Sequence, residues 1–179
     1  MKVSVIVPCY NEEHSISDLL NAIYEQSFPR ELIEVIISDG MSTDRTREKI
    51  IQFGKVYPDL KVKILDNLKK TIPAGLNQAI RGAKGEFILR LDAHSNPNPE
   101  YISRSIKALE SGLGDNIGGV INIQAANQGW ISQSIAIAAG HPLGVGDAKY
   151  RIGSEAREVD TVAFGAFRAS LIDKIGLFD

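Results

Sequence analysis

The chain has 179 residues, enough for one domain with a sizeable core. Its 44% hydrophobic and 23% charged content is that of an ordinary soluble globular protein, and a formal net charge of −2 excludes an electrostatic case for nucleic acid. The single cysteine, Cys9, excludes an internal disulfide and fits a reducing, cytoplasmic setting.

The amino terminus reads as structure, not as a leader. Lys2 is followed by Val-Ser-Val-Ile-Val and then Pro8, which is too short and too β-branched for a signal core. No apolar run approaches the length of a membrane span. The longest candidate, Ile131 to Ala139, is interrupted by Ser132, Gln133 and Ser134.

Strand and helix alternate through the first part of the chain. KVSVIVP is a nearly continuous apolar β run, as expected for a strand covered on both faces. SISDLLNAIYEQ aligns Ile16, Leu19, Leu20 and Ile23 on one helical face, with Ser15 as its predicted N-cap and Asp18 in a capping-box-like position. LIEVIISD is a second strand and DRTREKIIQFGK a second helix. KVKILD is a third strand, and TIPAGLNQAIRGAKG a helix opened by Thr71 and Pro73. EFILRLD is a fourth strand, followed by a helix from Asn98 with Ile102, Ile106 and Leu109 aligned. IGGVINIQ is expected as a fifth strand and ISQSIAIAAGHPL as a short helix. The glycine-punctuated stretch from Gly140 to Arg157 reads as a long loop of the kind that forms lids. A strand, a turn and a helix from about Ala169 to Ile175 close the chain, which stops right after an apolar Gly-Leu-Phe and reads as cut, not finished. This order predicts an α/β fold with a mainly parallel, mixed sheet and helices on both faces.

Ligands of open α/β sheets bind at the carboxyl ends of the strands. The loops there read PCYNEE, SDGMSTDRT, DNLKKTIPAG and DAHSNP. Each residue has a plain structural reading: Asp39-Gly40 as a turn, Thr43 or Asp44 as a helix cap, Lys69 and Lys70 as solvated charges. Four polar loops on one sheet edge favour a polar ligand. Acids and lysines together suit a metal-bound phosphate compound.

Asp92 and His94, at the end of an apolar strand, admit three chemistries. A serine hydrolase needs a G-x-S-x-G elbow, and none occurs. A zinc site needs three or four close ligands, whereas His14, His141 and Cys9 each stand alone. A magnesium or manganese ion needs only one or two protein groups beside substrate phosphates. On an extended segment a carboxylate and an imidazole two residues apart share a side, and Asp92 with His94 suits Mn2+, which accepts both carboxylate and imidazole. A dinucleotide-binding domain predicts G-x-G-x-x-G after the first strand, where PCYNEE stands instead.

VSVIVPCYNEE, VIISDGMSTDRT and GEFILRLDAHS, in that order, resemble the family 2 glycosyltransferases of GT-A fold, and the resemblance covers the whole chain. LDAHSNP and DTVAFGAFRASLIDKIGLFD are similar to its succinoglycan-biosynthesis (ExoA-like) branch, which makes bacterial exopolysaccharide. The resemblance implies a single GT-A domain over 1–179, with a nucleotide-binding half to 112 and the start of an acceptor-side half from 113. It implies inverting transfer of a sugar from a nucleotide-diphospho-sugar, a UDP-sugar in the first instance, to a glycan or lipid-linked acceptor. Pro8, Tyr10 and Glu12 would line the nucleoside pocket. Asp39 would accept from the base, with Ser42 and Asp44 beside it. Lys70 and the Ala74-Gly75-Leu76-Asn77 turn would approach the base, ribose or phosphates. Asp92 would bind metal and diphosphate, Ala93 would pass close to the ribose, and His94 replaces the family's second acid. The catalytic base is expected beyond Asp179. For a full-length protein, the cytoplasmic face of the inner membrane is the expected place of work.

Overall fold

The computed structural model describes residues 1–125, 127–141, 156–159 and 161–179. These fall into two compact units, one of Met1–Ile117 with Phe164–Asp179 and one of Gly118–Ala163.

The first unit is built on a six-stranded sheet. Its strands are β1 (Val3–Cys9), β2 (Ile33–Asp39), β3 (Lys61–Asp66), β4 (Phe87–Arg90), β5 (Asn116–Ile117) and β6 (Ala166–Arg168), in the order β3-β2-β1-β4-β6-β5. The first four are mutually parallel, and β6 runs antiparallel to both β4 and β5. This is the mixed, mainly parallel sheet that the alternation predicts. The chain winds outward from β1 to β3, then returns to place β4 on the other side of β1. That reversal opens a crevice at the carboxyl ends of β1 and β4.

Period-2 alternation explains why β1 reads as a continuous apolar run. Val3, Val5 and Val7 join a core with α1 (Ile16–Tyr24), α2 (Thr46–Val56) and α4 (Tyr101–Glu110). Ile6 points the other way, into a second core with Ile36, Ile88, Phe167 and the Leu76, Ala79 and Ile80 face of α3 (Ile72–Gly82). A short α6 (Leu171–Ile175) adds Leu171 and Ile172 to that second core. The outer strand β3 exposes Lys61 and Lys63, charges that guard an edge against pairing with another chain.

Ser4 is the polar exception in β1 and is fully buried. Its hydroxyl donates to Glu34 Oε1 at 2.6 Å and accepts the Gly85 N–H at 2.8 Å. A Cβ on Gly85 would lie 2.6 Å from the Ser4 nitrogen. Gly85→Ala should therefore push two backbones apart and lower stability by about 1–3 kcal/mol, read from the urea midpoint.

Three local expectations change. The fifth strand, expected over IGGVINIQ, is only Asn116–Ile117. Its partner β6 is three residues long, so the ladder ends where the Gly118-Gly119 pair begins. Ser15 sits at the N-cap of α1 but makes no capping hydrogen bond; its hydroxyl turns to the Glu12 carboxylate instead. Thr71 likewise occupies the N-cap of α3 without a side-chain cap.

The second unit holds α5 (Trp130–Gly140), close to the helix expected from Ile131. No described helix is long and apolar enough to cross a membrane. Most of the expected Gly140–Arg157 loop, from 142 to 155, lies outside the described residues.

Candidate functional site

The site sits at the carboxyl edge of the first unit's sheet. β1 reaches that edge through Pro8. The β4 ladder stops at the Ile6–Arg90 pair, with the Leu91 N–H on the Ile6 carbonyl at 3.1 Å. Pro8 has the same parity as Ile6, so the N–H it lacks would point toward β4, where no strand remains. The proline thus ends pairing on that side and lets β1 and β4 part.

Backbone strain collects at this edge. Among the described residues, four non-glycines have positive φ: Asn11, Met41, Lys70 and Phe164. The first three follow β1, β2 and β3. Phe164 precedes β6, which runs antiparallel to β4, so it too lies at the carboxyl end of β4. The Tyr101 hydroxyl pins the Phe164 carbonyl at 2.7 Å. Left-handed backbone at bulky residues is costly and gathers where function demands a fixed shape.

The loops after β1 and β2 are laced together. Three consecutive N–H groups, of Asn11, Glu12 and Glu13, donate to Ser42 Oγ, Thr46 Oγ1 and Asp44 Oδ2 at 2.9, 2.8 and 3.0 Å. In return the Thr43 N–H donates to Asn11 Oδ1 and the Arg45 N–H to Glu13 Oε2. Asp44 Oδ1 accepts both the N–H and the hydroxyl of Thr46. Ser42 and Asp44, expected beside the base, therefore spend their oxygens on holding the Tyr10 loop in place. Tyr10 itself is 52% exposed, and its ring lies over Gly40, where a Cβ would come within 3.3 Å.

Asp39, expected to accept from a base, is completely buried. Its carboxylate accepts the N–H and hydroxyl of Ser42 at 3.1 and 2.5 Å and Arg47 Nη1 at 2.8 Å. The same Arg47 nitrogen reaches Asp66 Oδ1 at 2.8 Å. Arg47 is held firmly protonated by hydrogen bonds to Asp39 first and Asp66 second. Sequence reasoning missed this cation.

Cys9 reports the electrostatics of the edge. Burial first, then the charges of Asp39, Glu12 and Asp44, push its thiol up to about 12. The thiol is no nucleophile. Native Cys9 should stay unmodified by iodoacetamide at pH 8 while the urea-unfolded chain reacts, as mass spectrometry would show.

Asp92 and His94 do not lie on an extended segment. The Ser95 N–H and hydroxyl both donate to the Asp92 carbonyl, at 2.9 and 2.7 Å, and close a turn. The shared-side argument from strand geometry therefore fails. Arg90 donates to Asp92 Oδ1 at 3.1 and 3.3 Å. Oδ2 receives no hydrogen bond from a described residue. His94 Nδ1 meets Glu12 Oε1 at 3.0 Å, which leaves Nε2 on a side chain 67% exposed. The Glu12–His94 bond spans the β1–β4 crevice. Among the described residues no group of three or more His, Cys, Asp or Glu could hold a metal by itself. Asp92 Oδ2 and His94 Nε2 suit a cation that takes its remaining ligands from phosphate and water.

The other candidates divide. Lys70 is exposed, in left-handed backbone, with its N–H on the Asn67 carbonyl. Ala93 is buried, 2% exposed. Gly75 is buried, and a Cβ there would lie 3.0 Å from Asn67 Nδ2. Asn77, expected near the nucleotide, is taken elsewhere: its amide exchanges hydrogen bonds with the Phe178 backbone at 2.6 and 2.9 Å.

Comparisons with known proteins agree with this geometry. The profile of Glycosyl transferase family 2 matches residues 4–176. The succinoglycan biosynthesis protein ExoA of Rhizobium meliloti is 29% identical over 98% of this chain and 52% of its own length. A Methanococcus voltae enzyme is 28% identical over 95% of this chain and 54% of its own. It is the dolichyl N-acetyl-alpha-D-glucosaminyl phosphate 3-beta-D-2,3-diacetamido-2,3-dideoxy-beta-D-glucuronosyltransferase. The mannosyltransferase PcManGT of Pyrobaculum calidifontis, solved with GDP-Man and Mn2+, superposes with a TM-score of 0.75 at 25% identity, over 99% of this chain and 47% of its own. The chain thus spans about half the length of these relatives. With the profile matched over nearly its full length and a GT-A sheet beneath it, the chain belongs to glycosyl transferase family 2.

Proposed function

We propose that this chain is the donor-binding part of an inverting glycosyltransferase. It takes a sugar from a nucleoside-diphospho-sugar, with a UDP-sugar as the first candidate, and passes it to a glycan or lipid-linked acceptor in bacterial exopolysaccharide synthesis. Residues 1–112 serve the donor, and 113–179 contribute toward the acceptor. The likeness to ExoA supports the polysaccharide role, and the dolichyl-phosphate relative supports a lipid-linked acceptor. We place the reaction in the cytoplasm, in keeping with the lone reduced thiol of Cys9.

One observation carries the reading: Asp92, at the mouth of the β1–β4 crevice, has one oxygen fixed by Arg90 and the other without a donor among the described residues. Asp92 and His94 would hold a divalent cation together with the donor's phosphates. When bound, that cation neutralises charge on the departing diphosphate. Arg90 orients the Asp92 carboxylate. Glu12 fixes the His94 ring through Nδ1 and so leaves Nε2 as the ligating nitrogen. Tyr10 offers a flat, exposed face for a base. Lys70 brings positive charge to the phosphates. In the reaction the acceptor hydroxyl gives its proton to a general base as its oxygen bonds to the sugar C1 and the bond from C1 to the diphosphate breaks, so that the nucleoside diphosphate leaves in one displacement.

Calorimetric titration tests this. UDP or GDP should bind about tenfold or more tightly with Mn2+ than with a chelator present. Binding that is absent, or indifferent to the metal, would overturn the reading.

A further inference from the structure

Charge is spread unevenly over the first unit. Between Leu60 and Gly85 stand six basic residues, Lys61, Lys63, Lys69, Lys70, Arg81 and Lys84, and one acid, Asp66, in a chain whose net charge is −2. All six are exposed. None meets a carboxylate of a described residue. Lys2, Arg30, Arg47, Arg90 and Arg168, by contrast, each do so at 2.8–3.1 Å. Asp66 is committed to Arg47. Glu34, the register partner of Lys61, takes the Ser4 hydroxyl and the Lys84 N–H.

The topology gathers these cations. β3 is an outer strand, and its Val62 and Ile64 pack into the core of Val3, Val5 and Val7. Lys61 and Lys63 have the opposite parity, on the side where Leu65 packs with α3. A Cβ on Gly82 of α3 would lie 3.7 Å from Lys63 Nζ, and Arg81 precedes that glycine. The connection from β3 into α3 adds Lys69 and Lys70. It also bares two apolar side chains, Leu68 at 75% and Ile72 at 57% exposed.

We propose that this β3–α3 face docks on an anionic lipid surface. Its lysines and Arg81 meet headgroup phosphates, while Leu68 and Ile72 enter the boundary between headgroups and acyl chains. A soluble polyanion would satisfy the charges but leave both apolar side chains in water. No aromatic residue between Leu60 and Gly85 offers a nucleobase a stacking surface. Leu68 and Lys69 follow β3 at the same carboxyl edge as the β1–β4 crevice, so docking holds that edge at the membrane. The docking does not depend on the nucleotide-sugar reading.

Vesicle sedimentation tests it, with phosphatidylcholine alone and with an equal mixture of phosphatidylcholine and phosphatidylglycerol. The wild type should bind the mixed vesicles at about 0.05 M salt, leave them at about 0.5 M, and ignore the neutral ones. Lys61→Gln, Lys63→Gln and Arg81→Gln together should weaken binding about 100-fold, at about fivefold per charge. Leu68→Ser should cost about fivefold at low salt. None of these four residues serves the donor, so melting and UDP titration should match the wild type. Equal affinity of the wild type and the triple variant for mixed vesicles overturns the inference, as does equal binding to neutral vesicles. Tighter binding to heparin than to mixed vesicles at the same salt overturns it too and assigns the face to a soluble polyanion. Trp130 of α5 is the chain's one tryptophan and is 77% exposed. A blue shift of its emission on vesicles, as large in the triple variant as in the wild type, would move the contact to α5. A wild type that binds no vesicles ends the inference and leaves UDP titration to judge the donor site.

Discussion

Asp92→Asn should weaken UDP binding in the presence of Mn2+ by about 100-fold, a change calorimetry reads directly. Asparagine keeps the size and one acceptor oxygen but removes the negative charge that a hard cation needs. Without metal the sign reverses. Arg90, freed from its pair with Asp92, gains a charge to offer the diphosphate, so metal-free binding should hold or improve. Folding should be little affected. Both partners are about 30% exposed (31% and 29%), and such a pair contributes about 0.5–1 kcal/mol. His94→Ala should cost less, about tenfold, because Nδ1 already serves Glu12 and only Nε2 is left to ligate. Metal-dependent affinity that survives Asp92→Asn would remove Asp92 from the cation site.

Asp44→Ala should lower stability by about 2–3 kcal/mol, measured from the urea midpoint. The carboxylate accepts from the Thr46 N–H, the Thr46 hydroxyl and the Glu13 N–H, and its loss strands the two N–H groups between packed loops. The effect carries a pH signature. Partial burial raises the Asp44 carboxyl, but the hydrogen bonds from Thr46 and Glu13 outweigh it and hold the group below its ordinary value. The unfolded chain therefore binds this proton more readily than the folded one. Its contribution is fully present above the unfolded value near ~3.9 and is lost as pH falls through the lower folded value. Below about pH 4, the wild type should lose stability more steeply than Asp44→Ala. A variant as stable as the wild type, with an unchanged acid limb, would mean that these bonds do not lace the loops.

The alternation of elements was legible because each helix face and each buried strand carries its own period, as Leu19, Leu20 and Ile23 show against Val3, Val5 and Val7. The carboxyl-edge location followed from the parallel sheet. What could not be read depends on distant partners. Arg47 looks like a solvated helix residue until β2 and β3 bring Asp39 and Asp66 to either side of it. Arg90 looks like a strand end until the turn at Ser95 folds Asp92 back beside it. Asn77 sits in a loop-to-helix motif that resembles a binding turn, yet its partner is Phe178, 101 positions along the chain. The short β5 was hidden for another reason: the valine and isoleucines after Gly118-Gly119 favour a strand, but β6 is too short to pair with them.

On the proposed reading, the β1–β4 crevice holds a nucleoside diphosphate through a cation on Asp92. A crystal structure with UDP and Mn2+, recorded at the manganese absorption edge, tests it most directly. One anomalous peak is expected within coordination distance of Asp92 Oδ2 and of the diphosphate oxygens, with uracil on Tyr10. A diphosphate bound elsewhere on the sheet, or seated in the crevice with no manganese at Asp92, would contradict it.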